Sequence, residues 1–326
     1  MATFPFPMPS GWFGLCYAYE LAPGELKKVR LAGRDLVVFR TESGEAAAID
    51  NYCPHLGAAL HQGSVVGETV RCAFHHWQWN GQGECTAIPY AKKIPDKART
   101  DAIPVCEING MIMGWHHPRQ AEPHYDVQYI EALNGTRDGW GEIHYQEFTL
   151  PTCIQEIAEN DVDHAHFPYL HNTQGLYETE SVFDGPIKTS TSAMQHVLEH
   201  IEGDADPDAE YLLHRFSHGP GSVTVHATGV PSADPEVFGE FVLYHVATPI
   251  EDDQTHVRWS MVLSKNIETD DAGKSVLAQY SVRFNNPCVH SGCRALPSPA
   301  TSRSASHPGS YSSASRKGSR KHWNRL

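Results

Sequence analysis

Short apolar runs alternate with turn residues through the first third of the chain. The runs and the segments that interrupt them follow in this order: 28–31, 33–35, 36–40, 42–45 and 46–49. This alternation predicts an antiparallel meander. Residues 77–83 predict a strand and a glycine turn, and residues 108–115, interrupted by Asn109-Gly110, predict a closing hairpin. The pattern from Trp12 to Trp115 therefore favours a small all-β domain.

The pattern changes after Pro118. Residues 119–126 are polar and contain a proline, which is typical of a linker. Residues 156–171 predict a helix that Pro168 ends or kinks. Long strands are predicted at 238–247 and 255–263 around a turn at 251–253, and a further helix is predicted at 274–284. We expect an α+β chain in which a helix-grip-like domain with a large antiparallel sheet follows the all-β domain.

Composition and charge narrow the function classes. The 326 residues carry a formal charge of -14, which argues against nucleic-acid binding because that needs a basic face. No run approaches twenty apolar residues, and the N-terminus lacks the features of a signal peptide. We therefore expect a soluble cytoplasmic protein, in which cysteines outside any metal site stay reduced.

Two short hooks between residues 53 and 75 carry the strongest chemical signal. Cys53-Pro54-His55 and Cys72-Ala73-Phe74-His75 each pair a thiolate with an imidazole. Two cysteines and two histidines can hold one [2Fe–2S] cluster, with the thiolates on one iron and the imidazoles on the other. This Rieske arrangement predicts that Cys53, His55, Cys72 and His75 bind a cluster.

A zinc site is the competing interpretation of the hooks, because zinc accepts the same ligand types. The cluster is favoured because each hook contains its own cysteine and histidine. Pro54 stiffens the first hook, and glycines nearby allow backbone N–H groups to approach the cluster sulfides. His76 is expected to face solvent, since the Cys-x-x-His spacing selects His75.

A second group of candidate ligands lies in the predicted helix. Asn160, Asp163 and His166 would share one helical face, and the bend at Pro168 would bring His171 back to the same metal. Two histidines and a carboxylate form the facial triad of non-haem Fe(II) oxygenases. We expect His166 and His171 to bind iron and Asp163 to couple the two metal centres through hydrogen bonds. His164 competes with His166 but lies off the face that carries Asp163.

Together the two segments resemble the oxygenase (α) subunit of Rieske non-haem iron ring-hydroxylating oxygenases. Within that family the chain is most similar to 3-ketosteroid-9α-hydroxylases and cholesterol desaturases over residues 10–284. The resemblance rests on GWF at 11–13, on CAFHHWQWNGQGECTAIPYAKKIPDKART from Cys72, and on NDVDHAHFPYLH from Asn160.

The resemblance implies a head-to-tail homotrimer in which Asp163 of one subunit bridges to a cluster histidine of its neighbour. It implies electrons from NADH through a flavin and iron–sulfur reductase, O2 as co-substrate, and insertion of one oxygen atom into a C–H bond. The leading function is therefore a monooxygenase acting on a steroid or similarly bulky substrate. A desaturase or O-demethylase, an electron-transfer-only protein and a zinc-binding interaction module are the alternatives.

The third iron ligand is the point where the chain departs from this family. No Asp or Glu follows Asp271, and residues 272–326 carry nine Lys and Arg against no acid. We interpret residues 285–326, rich in Ser, Arg and Pro, as a frameshifted or disordered tail. A frameshift would leave the chain without this ligand, and in a genuine disordered tail Asn285 or Asn286 would substitute for the carboxylate. Otherwise the ligand lies upstream at Asp252, Asp253, Asp270 or Asp271. The expected domains are 10–118 for the cluster, 119–284 for the iron and 285–326 for the tail, and turnover by this chain is expected to be impaired.

Overall fold

The strands of the N-terminal half form three small sheets. The computed structural model describes residues 7–166, 179–195, 210–231 and 238–268. The strands of this half are β1 (Gly11–Tyr17), β2 (Leu26–Leu31), β3 (Arg34–Arg40), β4 (Ala46–Asp50), β5 (Ser64–Val66), β6 (Thr69–Arg71), β7 (Gln78–Asn80), β8 (Cys85–Ala87), β9 (Ala102–Ile103), β10 (Val105–Ile108) and β11 (Met111–His116). They pair antiparallel in the orders β1-β11-β10, β2-β3-β4-β9 and β5-β6-β7-β8. The predicted meander and closing hairpin are confirmed.

One large antiparallel sheet dominates the second half. Its strands are β12 (Trp140–Leu150), β13 (Thr179–Asp184), β14 (Ile187–Gln195), β15 (Glu210–His218), β16 (Ser222–Pro231), β17 (Phe238–Glu251) and β18 (Gln254–Ser264). They pair in the order β12-β18-β17-β16-β15-β14-β13. Helix α1 (Ile154–Asn160) follows β12, and the short helix α2 (Lys265–Glu268) follows β18. The large sheet and the β17–β18 hairpin were both predicted.

The two faces of the large sheet pack into different clusters of core residues. Side chains alternate across a strand, so Leu243 and Tyr244 of β17 point to opposite faces. Tyr244 packs in the same core as Trp12 and Trp115 of the N-terminal half. Leu243 belongs to the core that contains Ile154 of α1. We call this second side, which α1 covers, the inner face.

The N-terminal half and the large sheet approach each other closely at Gly221. A Cβ atom at this position would lie 2.1 Å from the backbone oxygen of Trp12 and 2.8 Å from the ring of Phe13. The predicted linker also contributes here, because the indole N–H of Trp12 donates to the carbonyl of Tyr125 at 2.8 Å. Strand β1 therefore lies directly against the large sheet, and Gly221 is a position where only glycine fits.

Candidate metal centres

Both hooks are turns bounded by short strands. The first hook follows β4, and the second connects β6 to β7. Each hook has its own closed set of backbone hydrogen bonds. The amide of Gly57 donates to the carbonyl of Cys53 at 2.8 Å, and the amide of His76 donates to the carbonyl of Cys72 at 3.1 Å. Backbone bonds inside the turns thus hold the four candidate ligands in place.

The two hooks repeat one backbone conformation. The amides of Cys53 and Cys72 both donate at 2.8 Å to the carbonyl five residues later. The residue four positions after each hook cysteine has a positive φ, +76° at Gly57 and +59° at His76. Glycine adopts this left-handed region without strain, whereas another L-residue pays roughly 1–2 kcal/mol. His76 is exposed, as predicted. Its position is fixed by its backbone, because its amide donates to the Cys72 carbonyl.

The two hook thiols lie side by side in the core. Cys53 and Cys72 are each 2% exposed and are not joined in a disulfide. Burial, together with the neighbouring Cys72 sulfur, raises the pKa of the Cys53 thiol to about 11. Two buried thiolates need a compensating cation, and metal ligation supplies one because only the thiolate form binds.

The two hook imidazoles meet at the protein surface. The ring centroids of His55 and His75 are 4.6 Å apart, and both residues are half-buried. The ring of Trp77 stacks on His55 with centroids 4.5 Å apart and planes 10° apart. The Trp77 indole N–H donates to the hydroxyl of Tyr90 at 2.7 Å, which fixes the stacked ring. The imidazole pair is therefore accessible from outside and supported from one side.

The donor set fits a two-iron cluster better than a single zinc ion. A zinc site requires its ligands to converge on one point. In the described part of the chain, no three His, Cys, Asp or Glu side chains are close enough together to hold one ion. The hooks instead form a sulfur pair and a nitrogen pair, which is the Rieske ligand division. The Trp79 indole N–H, buried beside Cys53 without a nitrogen or oxygen acceptor, also suits a site that brings electron-rich sulfur.

The helix that carries the second candidate centre is shorter than predicted. Helix α1 ends at Asn160, so the prediction that Asn160, Asp163 and His166 share a helical face is wrong. The carboxylate of Asp163 accepts from the amide of Ala165 at 2.9 Å. Such a side-chain to backbone bond competes with continued helix. Asp163 and His166 consequently lie in the turn after α1.

This turn still brings the carboxylate to the imidazole. Nδ1 of His166 lies 3.6 Å from Oδ2 of Asp163. The pKa of His166 is lowered by burial, and the nearby Asp163 carboxylate partly opposes this by raising it. Burial thus favours the neutral imidazole that metals bind. The Asp163 side chain is 54% exposed, so it is accessible to another molecule. His171 lies outside the described residues.

A buried polar group behind the turn was missed by sequence reasoning. Nζ of Lys188 donates to the carboxylate of Asp161 at 2.6 Å and to its carbonyl at 2.9 Å. The hydroxyl of Ser217 also donates to this carboxylate. Arg215 contacts the Asp161 carbonyl at 3.3 Å and the ring of His164. We call Asp161, Lys188, Arg215 and Ser217 the buried clasp; it ties the turn to β14 and β15.

The clasp also accounts for the position of the His164 ring. Its ring faces Arg215, and burial lowers its pKa, with Arg215 as the next contribution. The helical face on which the expectation for His164 rested does not form, and the contact with Arg215 is what distinguishes His164 from His166. Local sequence patterns could not have revealed the clasp, because Lys188 and Ser217 follow Asp161 by 27 and 56 residues.

The described residues offer no obvious third iron ligand. Asp252 and Asp253 are exposed in the turn between β17 and β18. This hairpin end lies near the start of α1, since the hydroxyl of Thr255 donates to the carbonyl of Thr152 at 2.8 Å. Asp163 and His166 follow the opposite end of α1. Asp270, Asp271, Asn285 and Asn286 lie outside the described residues.

The inner face of the large sheet changes character across its strands. The part formed by β14 and β15 carries Lys188, Arg215 and Ser217. Toward the other edge it is apolar, with these residues: Ala227, Phe241, Leu243, Ala247, Val257, Met261 and Leu263. A small open pocket with a volume of about 30 Å³ lies between α1 and this face. It is below the range of about 300–1,000 Å³ typical of ligand sites, so we do not assign it to substrate.

Comparison with protein families identifies both halves of the chain. The Rieske [2Fe-2S] domain matches residues 11–100. The 3-ketosteroid 9alpha-hydroxylase C-terminal domain matches residues 114–286, which is more than half of the chain.

Individual relatives agree with these matches. Cholesterol 7-desaturase of Xenopus laevis is 34% identical over 79% of this chain and 60% of its own length. The oxygenase component of 3-ketosteroid-9-alpha-monooxygenase from Rhodococcus rhodochrous is 35% identical over 67% of this chain and 58% of its own length. The chain thus spans about three fifths of these curated relatives.

Solved structures share the fold. Dicamba monooxygenase bound to dicamba superposes with a TM-score of 0.64 at 17% identity, over 91% of this chain and 93% of that one. NdmA of Pseudomonas putida CBB5 with caffeine gives 0.65 at 20% identity, over 89% and 85%. No helix in the described ranges has the length and apolarity needed to cross a membrane. Taken with the family matches, these findings show that the chain belongs to the Rieske oxygenases, in the family of the 3-ketosteroid 9α-hydroxylases.

Proposed function

We propose that this chain is the terminal oxygenase component of a Rieske-type monooxygenase that hydroxylates a steroid or a similarly bulky hydrophobic substrate. O2 would be the co-substrate, and a flavin and iron–sulfur reductase would supply electrons from NADH. One observation carries this proposal. Asp163 and His166 lie together in the turn after α1, on the inner face of a sheet that is apolar farther across, in a chain that also carries the two hooks.

The proposed roles follow from the positions of the side chains. Cys53 and Cys72 would hold one iron of the cluster, and His55 and His75 the other. His166 and His171 would hold the mononuclear iron. When bound, the cluster transfers single electrons, and the iron activates O2 so that one oxygen atom enters a C–H bond. The inner face would orient the substrate and exclude water.

Asp163 is the proposed link between the centres. Its carboxylate is half-exposed and adjoins His166, so it can accept a hydrogen bond from a histidine of another chain. Exposed apolar side chains surround the hook imidazoles: Leu56 is 65% exposed and Phe74 is 62% exposed. Exposed apolar groups of this kind favour burial against another protein. They support the head-to-tail homotrimer that we propose.

The substrate class rests on the apolar part of the inner face. Phe241, Leu243 and Met261 are buried and lie on neighbouring strands, which suits a hydrocarbon skeleton. A sterol desaturase is the second candidate, because one similar protein is a cholesterol 7-desaturase. Both reactions would use the same iron and differ in the product.

The third iron ligand, which is not identified among the described residues, limits what we expect from this chain. With two histidines and no identified carboxylate, the mononuclear iron would be held weakly while the cluster is complete. We therefore expect two tightly bound irons per chain and a third that dialysis removes. Three dialysis-resistant irons would contradict this part of the proposal. The family match ends at residue 286, and this supports assigning residues 285–326 to a tail outside the catalytic domain.

Single-turnover chemistry tests the function. The purified chain, with its cluster reduced and excess Fe(II) added, is mixed with O2 and a 3-ketosteroid or cholesterol. We expect the steroid to accelerate reoxidation of the cluster and to gain one oxygen atom. Loss of two hydrogens instead would select the desaturase. A reoxidation rate that no steroid changes, with no steroid product, would overturn both candidates.

A further inference from the structure

A lysine-rich loop follows the second hook. Residues 90–99 carry four cations and a single acid, Asp96, so their net charge is +3. The cations are Lys92, Lys93, Lys97 and Arg99. The whole chain carries -14. The loop is therefore a local reversal of the charge of the molecule.

The loop is anchored on the core of the cluster domain. Ile94 and Ala98 pack against the core that contains the two hook thiols. The amide of Ala98 donates to the carbonyl of Pro95 at 2.9 Å, and the amide of Cys85 donates to the carbonyl of Ala98 at 3.0 Å. The three lysines of the loop are exposed. Because apolar anchors alternate with lysines, the loop presents its charges to solvent while its backbone stays fixed.

Two ring contacts connect the start of the loop to a candidate cluster ligand. The hydroxyl of Tyr90 accepts from the Trp77 indole N–H at 2.7 Å, and Trp77 stacks on His55 with centroids 4.5 Å apart. Tyr90 is 63% exposed, whereas the hook thiols are 2% exposed. A protein that docks on the loop is therefore close to the imidazole side of the proposed cluster.

Two of the lysines are available to a partner. Lys92 and Lys97 form no ion pair with any acid in the part of the chain that the structure describes. The other two cations have acidic partners on the surface: Lys93 lies 3.5 Å from Asp96, and Arg99 lies 2.7 Å from Glu84. The side chains of Lys93 and Asp96 are 81% and 88% exposed, and so exposed a pair is weak. Its lysine can therefore exchange one carboxylate for another.

We propose that residues 90–99 form the docking surface for the protein that supplies electrons to the cluster, and that this partner presents carboxylates around its own redox centre. The inference rests on the proposed function, which requires an iron–sulfur reductase. Opposite charges steer two proteins together and speed their association, and salt weakens this effect by screening. The loop thus sets the rate at which the donor finds the cluster and leaves the reduction potential unchanged.

Lys92→Gln/Lys97→Gln tests the docking surface. The probe is a reduced, acidic plant-type ferredoxin, whose potential lies below that of a Rieske cluster. Stopped-flow absorbance gives the second-order rate constant for reduction of the cluster at low and at high salt. We expect the double variant to react about tenfold more slowly at low salt and to depend less on salt. Arg119→Gln/Lys265→Gln is the matched control, because it removes two exposed cations outside the loop, and its rate should be unchanged.

An unchanged rate in Lys92→Gln/Lys97→Gln, or equal slowing in both double variants, would overturn the inference. If the two lysines are needed for sedimentation with phosphatidylserine vesicles and not for the ferredoxin reaction, the loop binds a lipid surface instead.

Photoreduced deazariboflavin separates this inference from the proposed function. This small donor needs no docking surface, so it should reduce the cluster at the same rate in all three proteins. A cluster that deazariboflavin reduces and ferredoxin does not would contradict the docking surface. A cluster that both reduce, without any steroid product, would instead refute the proposed substrate class, and a chain without any cluster would refute the ligand proposal.

Discussion

The four candidate ligands of the cluster lie within residues 53–75, whereas His166 depends on contacts from strands far along the chain. Each hook is closed by backbone bonds within six residues of its own cysteine. The turn with His166 is held by Lys188 and Arg215, which follow Asp161 by 27 and 54 residues. The comparison teaches that one centre is held by local contacts, while the other depends on contacts with the large sheet.

The largest effect is expected from removing a hook thiol. Cys72→Ala deletes one of two sulfurs that must hold the same iron, so we expect complete loss of the cluster's visible absorption. Cys85→Ala is the control, because this thiol is also buried in the same core but lies outside the hooks. Equal cluster content in the two variants would refute the ligand assignment.

Breaking the buried clasp should destabilise the turn that carries His166 and leave the hooks intact. Lys188→Met leaves the Asp161 carboxylate, whose side chain is 9% exposed, without its ammonium partner. Loss of one member of a buried ion pair costs about 3–5 kcal/mol, measured as the free energy of unfolding in urea. Adding Asp161→Asn should recover part of this loss.

Lys265→Met is the control for the clasp, because this lysine is exposed at the start of α2. We expect it to change stability by less than about 0.5 kcal/mol. If both lysine variants lose the same small amount, Lys188 does not support the turn. If Lys188→Met prevents folding, the Lys188→Met/Asp161→Asn protein still permits the comparison.

Asp163→Asn tests the link between the two centres. Partners of metal ligands typically contribute 10–100-fold to activity or metal affinity, so we expect electron transfer from cluster to iron to slow by about that factor. The cluster's spectrum should not change. Glu159→Gln, an exposed acid one turn earlier, should leave the rate unaltered. The electron-transfer rates of the two variants are compared in single turnovers. If both variants slow equally, the effect is due to the loss of a negative charge in general and not to the position of Asp163.

The smallest effect concerns the repeated hook conformation. His76→Gly should relieve left-handed strain of about 1–2 kcal/mol and cost about 0.5–1 kcal/mol in backbone entropy, a net gain below about 1.5 kcal/mol. Gly57→Ala has the reverse effect at φ +76° and has open space for its Cβ. Thermal unfolding that moves both variants in the same direction would contradict the equivalence of the hooks.

More of the cluster site than of the iron site could be predicted from the sequence. One short stretch of sequence contains all four candidate ligands, Cys53, His55, Cys72 and His75. Turn residues on either side of this stretch predicted the strands. The left-handed backbone of His76 was not foreseen, because it follows from the bonds that Cys72 makes across its own turn. The end of α1 at Asn160 was misjudged because Pro168 was taken as the point where the helix ends, whereas Asp161 and Asp163 find better partners outside the helix.

Pulsed EPR of the reduced, purified chain tests the central claim most directly. The account places two imidazole nitrogens on one iron of a [2Fe–2S] cluster, so we expect couplings to two histidine nitrogens. Both should disappear when His55 and His75 are replaced together. A reduced cluster that couples to no histidine nitrogen, or a chain that holds one zinc ion and no cluster, would contradict it.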